Sequence, residues 1–259
     1  MCEFFCPIFV DFYFPKRMGN DFFRFKQFVV RQGNASMKVG MDSVLLGAWA
    51  DAGHAVRILD VGAGTGLLAL MMAQRYPVAW IDAVEIDKEA HQQAVENVAN
   101  SIWNNRIRVI CDDFVHYAEH CPLRYNMIIS NPPYFTASLK PADKKRNIAR
   151  HNDSLPHRLL LAGSEKMLAP AGVMAVVLPP PEASTFIDEA TTYHLFVKRV
   201  LHVQSLSSKP VSRTLVELSK THHQISGDEA GERLCIEKSD RSDYTNEYRQ
   251  LTKEFYLNF

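Results

Sequence analysis

Apolar residues along this chain arrive in short β-branched runs separated by helix-forming stretches, and that alternation sets the expected architecture. The runs Val56–Val61, Val78–Glu85, Ile107–Cys111, Met127–Ser130 and Val173–Leu178 have strand length and are apolar at most positions, as strands covered on both faces must be. Helix patterns lie between them. In Lys88–Ser101, Ala90, Ala94 and Val98 fall on one face at a 3.6-residue period, and Ser154–Leu168 ends at Ala169-Pro170. Five such units predict an α/β fold with a mostly parallel central sheet and helices on both faces. Two longer runs, Leu195–Ser205 and Val211–Lys220, are joined by Ser207-Ser208-Lys209-Pro210 and predict a terminal antiparallel pair. Upstream, Phe23–Arg31 and Met37–Val39 flank Gln32-Gly33-Asn34 as a hairpin, followed by a helix begun by Asp42-Ser43. The segment Ser226–Asp243 is rich in glycine, serine and charge, and predicts a loop around Arg233–Glu237. No repeat and no long linker interrupts the chain. We expect a tail over 1–21 and a single domain over 22–259, with the hairpin and helix in 22–52 and the core and its carboxyl-terminal extension in 53–259.

Composition narrows the picture. A chain of 259 residues can bury a sizeable core, and its 47% hydrophobic and 22% charged residues are ordinary for a globular protein. Formal net charge is zero, so nothing draws nucleic acid to the molecule as a whole. Local basic character is another matter. Between Ser138 and Arg158 stand six Lys or Arg (Lys140, Lys144, Lys145, Arg146, Arg150, Arg158) against two Asp, with His151 and His157 beside them. Alone, such a run reads as a solvated loop. The five cysteines have no metal-ligand spacing and suit free thiols in a reducing compartment, with Cys111 inside a buried-strand pattern. His222-His223 has no partner at ligand spacing, and no metal is expected. The aromatic stretch Phe4–Phe14 is about half the length of a membrane helix and contains Asp11. Glu3 before it and Lys16-Arg17 after it do not make a signal peptide, so a cytoplasmic protein is expected.

Three motifs carry the chemistry. Asp60-Val61-Gly62-Ala63-Gly64-Thr65-Gly66 lies between a strand and a strong helix former, the setting in which a glycine loop means nucleotide binding. Nineteen residues after Gly66, Glu85 ends the next strand, where a carboxylate can accept both ribose hydroxyls of an adenosine. Asp112-Asp113-Phe114 follows the third strand and reads equally as an adenine-binding carboxylate backed by a ring or as a helix amino terminus. The third motif, Asn131-Pro132-Pro133-Tyr134, follows an apolar run. Two prolines stiffen the backbone and remove two donors, leaving an amide oxygen, fixed carbonyls and an aromatic face. That set suits a planar NH2 group, with two acceptors for its hydrogens and a ring against its plane. The basic run follows this motif directly, so it is expected at the mouth of the pocket, holding nucleic-acid phosphates. A NAD(P)-dependent oxidoreductase would share the glycine loop and Glu85. It would leave Asn-Pro-Pro-Tyr unexplained, and G-x-G-x-G is not the dinucleotide spacing.

In their order and approximate spacing these segments resemble the class I S-adenosylmethionine-dependent methyltransferases that act on a planar nitrogen. Phe23–Phe28, Met37–Ala50, Ala149-Arg150-His151, Ser154-Leu155-Pro156 and Leu251–Leu257 narrow the likeness to the bacterial tRNA1(Val) adenine-37 N6-methyltransferases, from about Phe22 to the end. The resemblance implies a Rossmann-like fold, S-adenosyl-L-methionine as cofactor, tRNA as partner, a monomer, and methylation of adenine 37. It implies catalysis by Asn131, Pro132, Pro133 and Tyr134. Cofactor binding would fall to Lys38, Asp60, Gly62, Gly64, Gly66, Glu85, Ile86, Asp112, Asp113, Phe114 and Asn131. RNA binding would fall to Lys140, Lys144, Lys145, Arg146, Arg150 and His151. Lys38 and Asp42 read equally as closing over the cofactor and as a surface lysine beside a helix cap. Since the likeness starts after Met18, residues 1–17 are expected to be an appended tail or to precede the physiological start. Other acceptors with the same chemistry (DNA adenine, ribosomal guanine, protein glutamine) and a non-catalytic RNA-binding protein on this scaffold remain as rivals.

Overall fold

The computed structural model describes residues 21–33, 38–133, 155–222, 231–239 and 243–259; the tail before them, Tyr134 and the basic segment 140–151 lie outside the described residues. Strands β1 (Phe22–Arg24) and β2 (Val29–Arg31) form a small antiparallel sheet, and helix α1 (Met41–Trp49) follows. Then come β3 (Arg57–Val61), α2 (Leu67–Arg75), β4 (Trp80–Glu85), α3 (Lys88–Ala99), β5 (Ile107–Cys111), α4 (Phe114–His120) and β6 (Tyr125–Ser130). Helix α5 (His157–Met167) leads into β7 (Leu168–Leu178), then α6 (Pro180–Ala190), β8 (Phe196–Gln204), β9 (Arg213–Ser219), β10 (Glu232–Cys235) and α7 (Asn246–Thr252).

Strands β3 to β10 form one sheet of eight in the order β10-β8-β9-β7-β6-β3-β4-β5. Neighbours from β7 through β6, β3 and β4 to β5 are parallel, and β9 runs antiparallel to both β7 and β8. Both faces are covered. Met127 and Ile129 of β6 join the core shared with α1, α2, the hairpin and Phe255, while Ile128 joins the core shared with α4, α5 and α6. This is why the run in β6 is apolar at consecutive positions instead of alternating. Chain order reverses between β3 and β6, so their carboxyl ends bound the crevice where open α/β sheets bind ligands.

Several expectations need correction. Phe23–Arg31 is not one strand: the chain turns at Phe25–Phe28, where Phe25 N–H donates to the Phe28 carbonyl, and the turn expected at Gln32-Gly33-Asn34 runs outside the described residues. Both phenylalanines are buried and stack at 4.6 Å, so apolar packing makes this turn and no Gly or Asn signal marks it. Gly40, not Asp42-Ser43, caps α1. Strand β7 begins directly at Leu168, earlier than the apolar run beginning at Val173 suggests. The loop expected around Arg233–Glu237 contains β10, parallel to β8 in the register Leu234 to Val203. As an edge strand only four residues long it needs few apolar residues, and its charged sequence hides it. Cys111 is exposed because β5 is the opposite edge strand.

Candidate active site

The turn after β3 has Gly62, Gly64 and Gly66 at φ of 69°, 55° and 78°, the left-handed region that glycine adopts without strain. A Cβ at Gly62 or Gly64 would meet no atom within 4 Å, so the loop borders open space there, and Gly66, close against Ala94 of α3, caps the amino end of α2. Glu85 shapes the loop. Its Oε2 accepts Gly64 N–H at 2.7 Å and its Oε1 accepts Asp87 N–H at 2.9 Å. A carboxylate has about four acceptor positions, so about two remain for a ribose diol. Ile86, next in sequence, is half exposed and offers an apolar surface beside them.

Asp60 is fully buried: its Oδ2 accepts Ala69 N–H of α2 at 3.0 Å, and its Oδ1 has no partner. Burial pushes its carboxyl up to about 7, against the Ala69 hydrogen bond, with nearby Glu85 adding to the rise. Asp60 thus ties the end of β3 to the first turn of α2, with one carboxylate oxygen left over. Asp112 follows β5 at the rim, and both its oxygens lie 2.9 Å from His116 Nδ1. That contact raises the His116 imidazole above its usual range. Asp113 and Phe114 also depart from expectation. Asp113 Oδ1 accepts Val115 and His116 N–H at 2.8 and 3.0 Å as the cap of α4, and Phe114 is 5% exposed with its ring beside Gly163 and Ala118. The helix-start reading of the triplet holds for Asp113, and Asp112 keeps a partly exposed carboxylate at the rim.

Asn131 stands at the carboxyl end of β6, next to the glycine loop of β3. Ser130 Oγ donates to the Val61 carbonyl at 2.8 Å, tying the two strand ends together. Asn131 Nδ2 donates to Ser43 Oγ at 2.9 Å, while its Oδ1 accepts no hydrogen bond among the described residues. Pro132 is buried and Pro133 exposed. Lys38 is exposed on the segment entering α1, where Gln32 Oε1 accepts Val39 N–H at 2.7 Å. Asp42 forms an ion pair with Arg213 Nε at 2.8 Å. The sequence reading missed Ser43 and Asn97. Asn97 is 2% exposed, donates to the carbonyls of Arg31 and Thr65 at 2.9 Å each, and accepts Arg31 N–H at 2.8 Å. No motif marks it, since its partners are backbone groups remote in sequence. Among the described residues, no group of three or more His, Cys, Asp or Glu could hold a metal ion.

Open space over the glycine loop, spare acceptor capacity on Glu85 and an apolar neighbour fit an adenosine-bearing cofactor, and the sheet order puts the Asn131 amide beside it. Fold and cleft together define a class I S-adenosylmethionine-dependent methyltransferase. A predicted O-methyltransferase from Agrobacterium tumefaciens shares the fold, with a TM-score of 0.61 at 18% identity over 83% of this chain and 96% of that one. Residues 36–187 match the methyltransferase small domain family. The tRNA1(Val) (adenine(37)-N6)-methyltransferase of Bacteroides fragilis is 46% identical over 241 residues, covering 93% of this chain and 99% of its relative. That of Trichodesmium erythraeum is 43% identical over 244 residues, covering 93% and 100%. The chain belongs to the tRNA1(Val) (adenine(37)-N6)-methyltransferase family.

Proposed function

We propose that this protein transfers a methyl group from S-adenosylmethionine to N6 of adenine 37 in tRNA1(Val). Asn131 carries the reading: at the switch point of the sheet, beside the glycine loop, its amide oxygen is open while its amide nitrogen is held. An adenine amino group is a poor nucleophile because its lone pair is delocalised into the ring. Asn131 Oδ1 and the Pro132 carbonyl accept its two hydrogens and favour a pyramidal nitrogen with a directed lone pair. Bound S-adenosylmethionine supplies an electrophilic methyl carbon. Glu85 holds the ribose, Ile86 lies along the adenine, Asp112 takes the adenine amino group, and the loop of Gly62, Gly64 and Gly66 lets the backbone approach; Lys38 closes over the site. Positioning of this kind contributes up to roughly 7–11 kcal/mol.

Tyr134 stacks on the target base, a contribution of about 1–3 kcal/mol, after the nucleotide is turned out of its stack. A base in a single-stranded loop is turned out at little cost. Lys140, Lys144, Lys145, Arg146, Arg150 and His151 hold RNA phosphates beside the pocket. No described helix is long and apolar enough to cross a membrane, and we place the enzyme in the cytoplasm, where its tRNA substrate would be. It works as a monomer, through one domain over 22–259 with 1–21 appended.

The test is methyl transfer from labelled S-adenosylmethionine to unmodified total tRNA, followed by nucleoside digestion and mass identification. Wild type yields N6-methyladenosine. Asn131→Ala loses at least about a hundredfold in kcat while still binding cofactor, and Glu85→Ala raises the cofactor Kd about tenfold or more, two charged-acceptor hydrogen bonds being lost. Label in another nucleoside, or none in tRNA while cofactor still binds, overturns the adenine assignment.

A further inference from the structure

A carboxamide carries an acceptor on one side and donors on the other. Rotated by half a turn, Asn131 would set an N–H against the hydrogens of the adenine amino group, donor against donor. The plane and sense of this one side chain are therefore a condition of the reaction, and among the described residues of the motif, Asn131 to Pro133, nothing sets them.

The structure places control of the plane on another element. Asn131 Nδ2 donates to Ser43 Oγ at 2.9 Å, across 88 positions of sequence, and Oδ1 is left with no partner among the described residues. Both residues are half-buried, so the contact is partly shielded from competing water. Ser43 lies in the first turn of α1, and that helix is fixed at several points. Its buried face packs on α2. The adjoining Asp42 pairs with Arg213 of β9 at 2.8 Å, and Ala50 N–H at its end is held by Leu46. On the other side, Ser130 anchors the residue before Asn131 to the Val61 carbonyl. Two packed pieces of the frame, which share one hydrophobic core, thus also join through a hydrogen bond at the cleft.

We propose that Ser43 is a positioning residue for methyl transfer: its hydroxyl holds one side of the Asn131 amide and so fixes the plane in which the amide meets the acceptor amino group. The inference rests on the function proposed above. A hydroxyl can donate as well as accept. Ser43 therefore fixes the plane of the amide, and an arriving amino group, with hydrogens to give and no available lone pair, selects the sense with Oδ1 outward.

The experiment compares Ser43→Ala and Ser43→Thr with wild type for kcat, KM for tRNA, cofactor Kd by calorimetry and thermal midpoint. Ser43→Ala should lose about five- to tenfold in kcat, the effect of one hydrogen bond, with cofactor Kd and thermal midpoint close to wild type. Ser43→Thr, which keeps the hydroxyl, should stay within about twofold of wild type. Unchanged kcat in Ser43→Ala overturns the proposal. So does a loss of kcat matched by equal loss of cofactor affinity, which would make the serine a structural prop, or a loss in Ser43→Thr as large as in Ser43→Ala. A wild-type enzyme that puts no methyl on adenine would instead remove the function on which the inference rests, leaving the two failures distinct.

Discussion

Three carboxylates around the cleft have separate duties because their surroundings differ. Glu85 is almost buried yet shares its oxygens with two backbone N–H groups, Asp112 stands at the rim against His116, and Asp60 has one N–H and an orphan oxygen. The motif reading assigned all three to the cofactor, since spacing places a residue at a strand end without saying which way it faces. Asp60 leads to a pH prediction. Its folded pKa, about 7, is above the ordinary value of 3.8, so between those values the native state holds a proton that the unfolded state has lost. This group therefore costs stability increasingly as pH rises from about 4 to about 7, by on the order of a few kcal/mol in total. Asp60→Asn keeps an acceptor for Ala69 and removes the titration. Its thermal midpoint relative to wild type should rise from pH 5 to pH 8; a difference that stays constant with pH would show that Asp60 does not titrate in this window.

Among the elements, the parallel strands were the most legible. Burial on both faces requires apolar residues at consecutive positions, and β6 is buried at every position from Met127 to Ser130, the run that marked it. The amino-terminal hairpin and β10 were not, because one turns on buried phenylalanines and the other is a short, charged edge. The hairpin matters to the cleft through Asn97 of α3, which binds the backbone of Arg31 in β2 and the Thr65 carbonyl of the glycine loop. Asn97→Ala leaves three backbone groups, one buried and two half-buried, without that side chain. It should cost about 1–3 kcal/mol of stability, and it should also weaken cofactor binding by loosening the loop. Denaturant unfolding together with cofactor titration checks this, and a stability loss with unchanged cofactor Kd would disconnect hairpin from loop.

For the molecule as a whole, the formal net charge of zero means that attraction to tRNA must come from one face. The segment carrying Lys144, Lys145 and Arg146 is the proposed face. Replacing these three by glutamine should raise KM for tRNA, leave cofactor Kd unchanged, and reduce the slope of log affinity against log salt by up to about 2–3. An unaltered slope would move the RNA contact elsewhere on the molecule.

Local chemistry was enough to establish the strand-and-helix alternation and the glycine turn between β3 and α2, because each depends on the propensity of adjacent residues. Contacts between distant residues needed the folded chain. The pairing of β10 with β8, the withdrawal of Phe114 into the core, the three-way grip of Asn97 and the hydrogen bond from Asn131 to Ser43 all join segments far apart in sequence. Periodicity reports which face of an element is apolar; it carries no information about which partner that face, or a polar side chain beside it, will meet once the sheet has ordered its strands.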